Sequence, residues 1–202
     1  MAKWHAYGRC KTRLSKDIGK ISSANVQRKM TEHTISVAKY LEKKGLINIS
    51  LAISGLGLKK SKRWSRELGI ENFNLQGRGC LGEKMKRQIL INKKFSHKKI
   101  KNFIFIGTDL PDFCHMDLLN TLRKLKTNDL ILGPSNDGGY WLIAFSEKLL
   151  STDLYLPFIN ITWSSENVLK QTINNFNSRE LTHYFLREKI DIDTLKDIEK
   201  RE

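Results

Sequence analysis

The chain has 202 residues, enough for one substantial core over residues 1–202 and too few for two comfortable domains. Its balance of apolar and charged residues is that of a folded protein, which excludes a disordered chain. No apolar run approaches the roughly 20 residues of a membrane helix, and no signal-peptide core follows Met1, so a cytoplasmic protein without a membrane segment is expected.

From Ala24 to Leu41, the positions Val26, Met30, Val37 and Leu41 recur near helical period and predict an amphipathic helix closed by Gly45. Ile47–Ile53 reads as a strand, Lys60–Glu67 as a polar helix, and Phe73–Leu75 as a short strand leading into the turn Gly77-Arg78-Gly79. Leu81, Met85 and Ile89 mark a further helix. Phe103–Ile106 is the clearest strand, continuous and apolar as in a sheet covered on both faces. A helix carrying Leu118, Leu119, Leu122 and Leu125 follows. Strands are expected at Leu130–Leu132 and Tyr140–Phe145, separated by Asp137-Gly138-Gly139. Ser164 or Ser165 is placed to cap a helix bearing Val168, Leu169, Ile173 and Phe176. The alternation of strand and helix predicts a three-layer α/β domain, with ligands beyond the carboxyl ends of the strands.

Four segments carry candidate chemistry. In Gly8-Arg9-Cys10-Lys11-Thr12-Arg13-Leu14, three cations and a hydroxyl are suited to the oxygens of a diphosphate, and a solvated basic loop is equally open. In Gly107-Thr108-Asp109-Leu110-Pro111-Asp112, a carboxylate just past a buried strand suits Mg²⁺ or Mn²⁺; the bland alternative is a turn residue, and Asp112 is read as a helix cap. Asp137-Gly138-Gly139-Tyr140 is a strong turn signal. Its functional reading makes Asp137 a base or hydroxyl acceptor, with glycines that let a substrate approach. Asp191 and Asp193 are candidates to complete the metal site, although Asp193 also suits a helix cap.

Other chemistries lack their signatures. Cys10, Cys80 and Cys114 form no CxxC pair or metal spacing. GxxxxGK[ST], HExxH and GxSxG are absent, and Gly55-Leu56-Gly57 is a lone GxG. The 36 Lys and Arg give a net charge of +15, but they are spread along the chain and accompany no nucleic-acid-binding motif, so nucleic acid is not expected as a partner.

Taken in order, GRCKTRL (8–14), QGRGCLGEKM (76–85), FIGTDLPD (105–112), LGPSNDGGYWLIAF (132–145), ITWSSENVLKQT (161–172) and DIDTLKDI (191–198) resemble a bacterial glycosyltransferase-like family. That family is encoded near radical-SAM or selenium-related genes and is sometimes assigned to arsenosugar biosynthesis. The resemblance implies a Rossmann-like GT-A fold with a mostly parallel sheet, that of nucleotide-diphospho-sugar transferases, and kinship with nucleotidyltransferases. It places Arg9, Lys11, Thr12 and Arg13 on the diphosphate, Asp109 with Asp191 or Asp193 on a divalent metal, and Asp137, Gly138, Gly139, Tyr140 and Trp163 on the acceptor side. Two departures stand out. Only Ala2–Ala6 precedes the basic loop where relatives carry a full first strand, so either that strand is cut short or the true start lies upstream. Cys80 stands where relatives carry an acid.

The expected activity is metal-dependent glycosyl transfer from a nucleotide sugar to a small-molecule acceptor. Nucleotidyl transfer with release of pyrophosphate is the alternative within the same fold. A basic, non-catalytic nucleic-acid-binding module is the alternative from another class.

Overall fold

The computed structural model describes residues 1–95, 99–179 and 181–199. They form two compact units: Met1–Leu75, Gly107–His115 and Ile190–Glu202 make the first, and Gln76–Ile106 and Met116–Lys189 the second.

The first unit is built on a parallel sheet of β1 (Ala2–Lys3), β2 (Leu51–Ser54) and β3 (Phe73–Leu75), in that order. Ala2 pairs with Ile53, and Ile53 with Leu75. The first strand is indeed short, at two residues. β2 starts four residues later than the apolar pattern suggests, because the Ile49 N–H donates to the Glu42 carboxylate (2.8 Å) instead of to a neighbouring strand. Helix α1 (Leu14–Ile18) leads through Gly19 into the long helix α2 (Lys20–Lys43). Ala24, Gln27, Met30, Thr31, Thr34, Ile35 and Leu41 of α2 are buried, a stripe at helical spacing. Gly45, at φ 70°, closes it by donating its N–H to the Glu42 carbonyl (2.8 Å).

Helix α3 (Leu58–Glu67) contributes Trp64 to a core shared with Ala2, Ile35, Leu51, Ile53 and Ile70. A second cluster joins Leu14, Met30 and Ile192, with Ile18, Val26, Leu195 and Ile198 packed against it. It ties the start of α1 to the C-terminal segment and to helix α8 (Leu195–Glu199).

The second unit carries a mixed sheet of β4 (Phe103–Ile106), β6 (Tyr140–Phe145), β5 (Leu130–Pro134) and β7 (His183–Phe185), in the order β4-β6-β5-β7. β6 runs antiparallel to both neighbours, and residues 135–139 join it to β5 in a tight turn. β7 pairs parallel with β5. Residues 130–132 and 142–145 are buried almost completely, which accounts for their unbroken apolar runs. The unit also holds α4 (Leu81–Phe95), most of α5 (His115–Lys124), α6 (Glu147–Thr152), a 3-10 turn (Leu156–Phe158) and α7 (Val168–Asn177).

Two capping expectations are corrected. Asn167, not Ser164 or Ser165, occupies the residue before α7; Ser164 lies in the left-handed region at φ 67°, and the Ser165 hydroxyl accepts from the Asn167 N–H (3.3 Å). Asp112 stands three residues ahead of α5, outside its cap position. Among the described residues, no helix is long and apolar enough to cross a membrane.

Candidate functional site

The basic loop begins where β1 ends. The Trp4 N–H donates to the Ser54 carbonyl (2.9 Å), and two local bonds, Ala6 N–H to Trp4 and Arg9 N–H to Ala6, then fold the chain back. Gly8 (φ 69°) and Lys11 (φ 46°) both take left-handed backbone. For a residue with a long side chain this is an uncommon state, held here by its surroundings. The Ser15 N–H donates to the Lys11 carbonyl (2.8 Å), and Leu14 is fully buried, so the loop is pinned immediately after Lys11.

That geometry turns the Lys11 side chain inward, where it is only 3% exposed. Its ammonium lies 3.2 Å from Asp109 Oδ2 and 2.9 Å from Asp193 Oδ1. Arg13, largely exposed, pairs with Asp193 Oδ2. Gln27 of α2, itself buried, donates from Nε2 to Asp109 Oδ1 (3.0 Å). The two acidic segments are also joined through backbone, by the Ile192 N–H donating to the Asp109 carbonyl (3.1 Å). Buried Leu110 and Phe113 anchor the Asp109 loop below.

Seven of the sequence-derived positions lie in the first unit. Lys11, Arg13, Asp109 and Asp193 form one ion-pair network, and Asp191 lies partly buried at the head of the same C-terminal segment. Arg9 and Thr12 are exposed on the loop. Asp193 does not cap α8. Thr194 holds the cap position, and Asp197 in the first turn reaches back to it: its Oδ2 accepts from the backbone N–H of Asp193 (3.0 Å) and Thr194 (2.7 Å).

Asp109 and Asp193 flank a single gap, and two carboxylates with phosphate oxygens are a sufficient set for Mg²⁺ or Mn²⁺. The gap holds the Lys11 ammonium, and among the described residues no group of three or more His, Cys, Asp or Glu is arranged around one point. The two carboxylates are of the right chemistry for a divalent ion, and in this structure their shared gap is taken by the Lys11 ammonium.

In the second unit, Asp137 organises the β5–β6 turn. Its Oδ1 accepts from the Ser135 hydroxyl (2.5 Å) and from the Gly139 N–H (2.9 Å). This is the bond pattern of a side chain that mimics a turn peptide. Both bonds fall on Oδ1, and the residue is exposed, so Oδ2 faces solvent. Asp137→Ala is expected to lower stability by about 1 kcal/mol, the net worth of such bonds, and Asp137→Asn, which keeps the Oδ1 acceptor, by clearly less. Urea unfolding of both variants checks this; equal losses would show that the turn does not depend on Oδ1. Gly138 is packed against the Glu166 backbone, and its carbonyl accepts from the Leu169 N–H (2.9 Å) at the start of α7. Tyr140 is buried at its hydroxyl beside Thr172, and burial pushes the phenol pKa up. The Trp163 ring lies against Gly82 of α4, so close that any β-carbon at Gly82 would sit 2.5 Å from the ring.

Residues 37–165 match the family described as an uncharacterized protein conserved in bacteria, DUF2064. The chain belongs to this family. No curated protein matches the sequence. Among solved structures, the chain is similar to a "putative nucleotide-diphospho-sugar transferase" from Desulfovibrio desulfuricans G20. The TM-score is 0.86 at 24% identity, over 98% of this chain and 81% of that one. It is also similar to 4-diphosphocytidyl-2C-methyl-D-erythritol synthase from Anaerococcus prevotii DSM 20548, with a TM-score of 0.61 at 14% identity, over 85% of this chain and 83% of that one. These likenesses establish that the chain shares the α/β fold of these two structures.

In this DUF2064 chain, one residue bonded to the Asp109 carboxylate and one buried ion pair elsewhere have no motif that marks them. Gln27 is a polar residue within the buried stripe of α2, and that misplacement in the apolar register was its signal. Lys189 and Asp117 form a buried ion pair at 3.1 Å, with the Lys189 ammonium over the Trp141 ring. Their 72-residue separation in sequence left no local trace. In the Gln76–Cys80 loop, Arg87 donates to the carbonyls of Gln76 and Arg78, and the Cys80 N–H is capped by Glu83 (2.8 Å).

Proposed function

We propose that this protein transfers a glycosyl group from a nucleotide-diphosphate sugar to a small-molecule hydroxyl acceptor, with Mg²⁺ or Mn²⁺ as cofactor. The observation that carries the proposal is the Lys11–Asp109–Asp193–Arg13 network, set in a fold shared with a structure bearing the nucleotide-diphospho-sugar transferase name. The anomeric carbon–oxygen bond to the diphosphate breaks, and negative charge develops on the departing oxygens. Arg9, Lys11, Thr12 and Arg13 are the groups suited to receive it, the arginines with forked donors and the lysine as a point charge. Asp109 and Asp193, with Asp191 beside them, would hold the metal, which when bound adds Lewis-acid stabilisation of the leaving group. Asp137, through its free Oδ2, is assigned to take the acceptor proton as the new carbon–oxygen bond forms. Gly138, Gly139, Tyr140 and Trp163 are assigned to the acceptor side.

The likeness to a 4-diphosphocytidyl-2C-methyl-D-erythritol synthase favours a second reading, nucleotidyl transfer from a nucleoside triphosphate to a phosphorylated acceptor. One experiment separates the two. The protein is incubated with Mn²⁺ and a panel of nucleotide sugars and nucleoside triphosphates, and melting temperature and released product are measured. A melting shift with one nucleotide sugar and release of nucleoside diphosphate is the expected result. Pyrophosphate release would establish the second reading, and no shift across the panel would sink both.

A further inference from the structure

We propose that Lys11 is the resident cation of the Asp109–Asp193 pair, and that its ammonium keeps a divalent ion out of that pair while no nucleotide is bound. The part played by the diphosphate rests on the function proposed above; the exclusion of the metal by Lys11 does not.

All four oxygens of the two carboxylates are engaged by this chain. Asp109 Oδ1 accepts from Gln27 and Oδ2 faces Lys11; Asp193 Oδ1 accepts from Lys11 and Oδ2 pairs with Arg13. A metal bridging both residues needs an oxygen from each at about 2 Å, and therefore the same gap that the ammonium fills. The two occupants are mutually exclusive.

Charge points the same way. Two carboxylates are matched by one lysine and one arginine, with the buried Met1 amino group also in the field of Asp109, and the lysine is almost wholly buried. A divalent ion added to this set would stand against two like charges in a medium of reduced dielectric, where such repulsion is strong. A diphosphate changes the balance. It supplies negative charge and acceptor oxygens for an ammonium with three donors, so Lys11 can leave the carboxylates without losing its partners. Metal and diphosphate would then bind with positive coupling. The left-handed backbone at Lys11 is the sort of sparsely populated state that a chain holds at a switching position.

The test uses Mn²⁺ alone, without any nucleotide, and reads the six-line electron paramagnetic resonance signal of the free ion. Wild-type protein is expected to leave the signal nearly unchanged at equimolar concentration. Lys11→Met removes the ammonium, and the Mn²⁺ affinity is expected to rise by about tenfold or more. Lys11→Gln, which keeps a polar head but no charge, gives the same gain and guards against misfolding of the first variant. Adding Asp109→Asn to either variant cancels the gain. Wild-type protein that binds Mn²⁺ as tightly as the variants overturns the proposal. So do folded Lys11→Met and Lys11→Gln proteins that gain nothing. Because no nucleotide is present, a gain here with a blank nucleotide-sugar panel would leave this inference standing and remove the proposed function, and the converse pattern would do the reverse.

Discussion

Asp109→Asn is expected to lower glycosyl transfer by about 100-fold or more, the loss typical when one group is removed that stabilises charge developing in the transition state. Its effect on stability should be smaller. The carboxylate is 38% exposed, and Lys11 retains Asp193, so the ion pair is weakened and not abolished. A fall of about 1 kcal/mol is expected, well under the cost of stranding a buried charge. Single-turnover rates on the nucleotide sugar found in the panel, set beside urea unfolding, separate the two effects. The same variant decides against a different class of function. A basic module that binds nucleic acid would lose a repulsive charge in Asp109→Asn, and its affinity for RNA or DNA would hold or rise, with steep dependence on salt. Undiminished transfer in a folded Asp109→Asn protein would remove Asp109 from the chemistry.

The sequence announces those parts of this site that lie within a few residues of one another. Gly107–Asp112 follows an apolar strand and Asp137-Gly138-Gly139 marks a reversal, and both elements are present because turns and strands are local; the expected burial of the strand on both faces is not met, since Phe103–Ile106 is an edge strand in which only Phe105 is buried. Partnership is not local. Lys11 reads as a diphosphate ligand within its loop, yet its ammonium is committed to carboxylates 98 and 182 residues away. Burial of that side chain depends on the left-handed φ at Lys11, which no residue pattern encodes. By its sequence Asp193 suits a helix cap and a metal equally, and the structure makes it the partner of Lys11 and Arg13, while Thr194 takes the cap position and bonds to Asp197. β7 was missed for another reason. His183-Tyr184-Phe185 is three residues long, partly exposed and without alternation, and only its register with Leu130–Leu132 makes it a strand.

The turn at the end of β5 gives the largest expected effect on stability. Gly138 has φ 82°, and a β-carbon there would lie 2.1 Å from the Glu166 carbonyl oxygen and 2.6 Å from its carbon. Backbone cannot yield as a side-chain tip can, so the segment before α7 would have to move. That segment is also bonded to the turn, through the Leu169 N–H on the Gly138 carbonyl. Gly138→Ala combines left-handed strain with this overlap, and a loss of about 3 kcal/mol or more is expected. Gly139 is the internal control. Its φ is not in the left-handed region, and an added β-carbon would meet only the Asp137 carboxylate at 3.1 Å and the Ser135 hydroxyl at 3.3 Å. These are side-chain atoms that can shift by a few tenths of an ångström, so Gly139→Ala should cost about 1 kcal/mol or less. Thermal and urea unfolding of the two alanine variants makes the comparison. If they are equally stable, the packing of the turn on the Glu166 backbone is not what fixes it. If Gly138→Ala alone is crippled, the first glycine of Asp-Gly-Gly is required first by the fold. Its assignment to the acceptor side then rests on Gly139 and on the free oxygen of Asp137, where transfer assays of Gly139→Ala and Asp137→Asn can read it without a collapse of the unit.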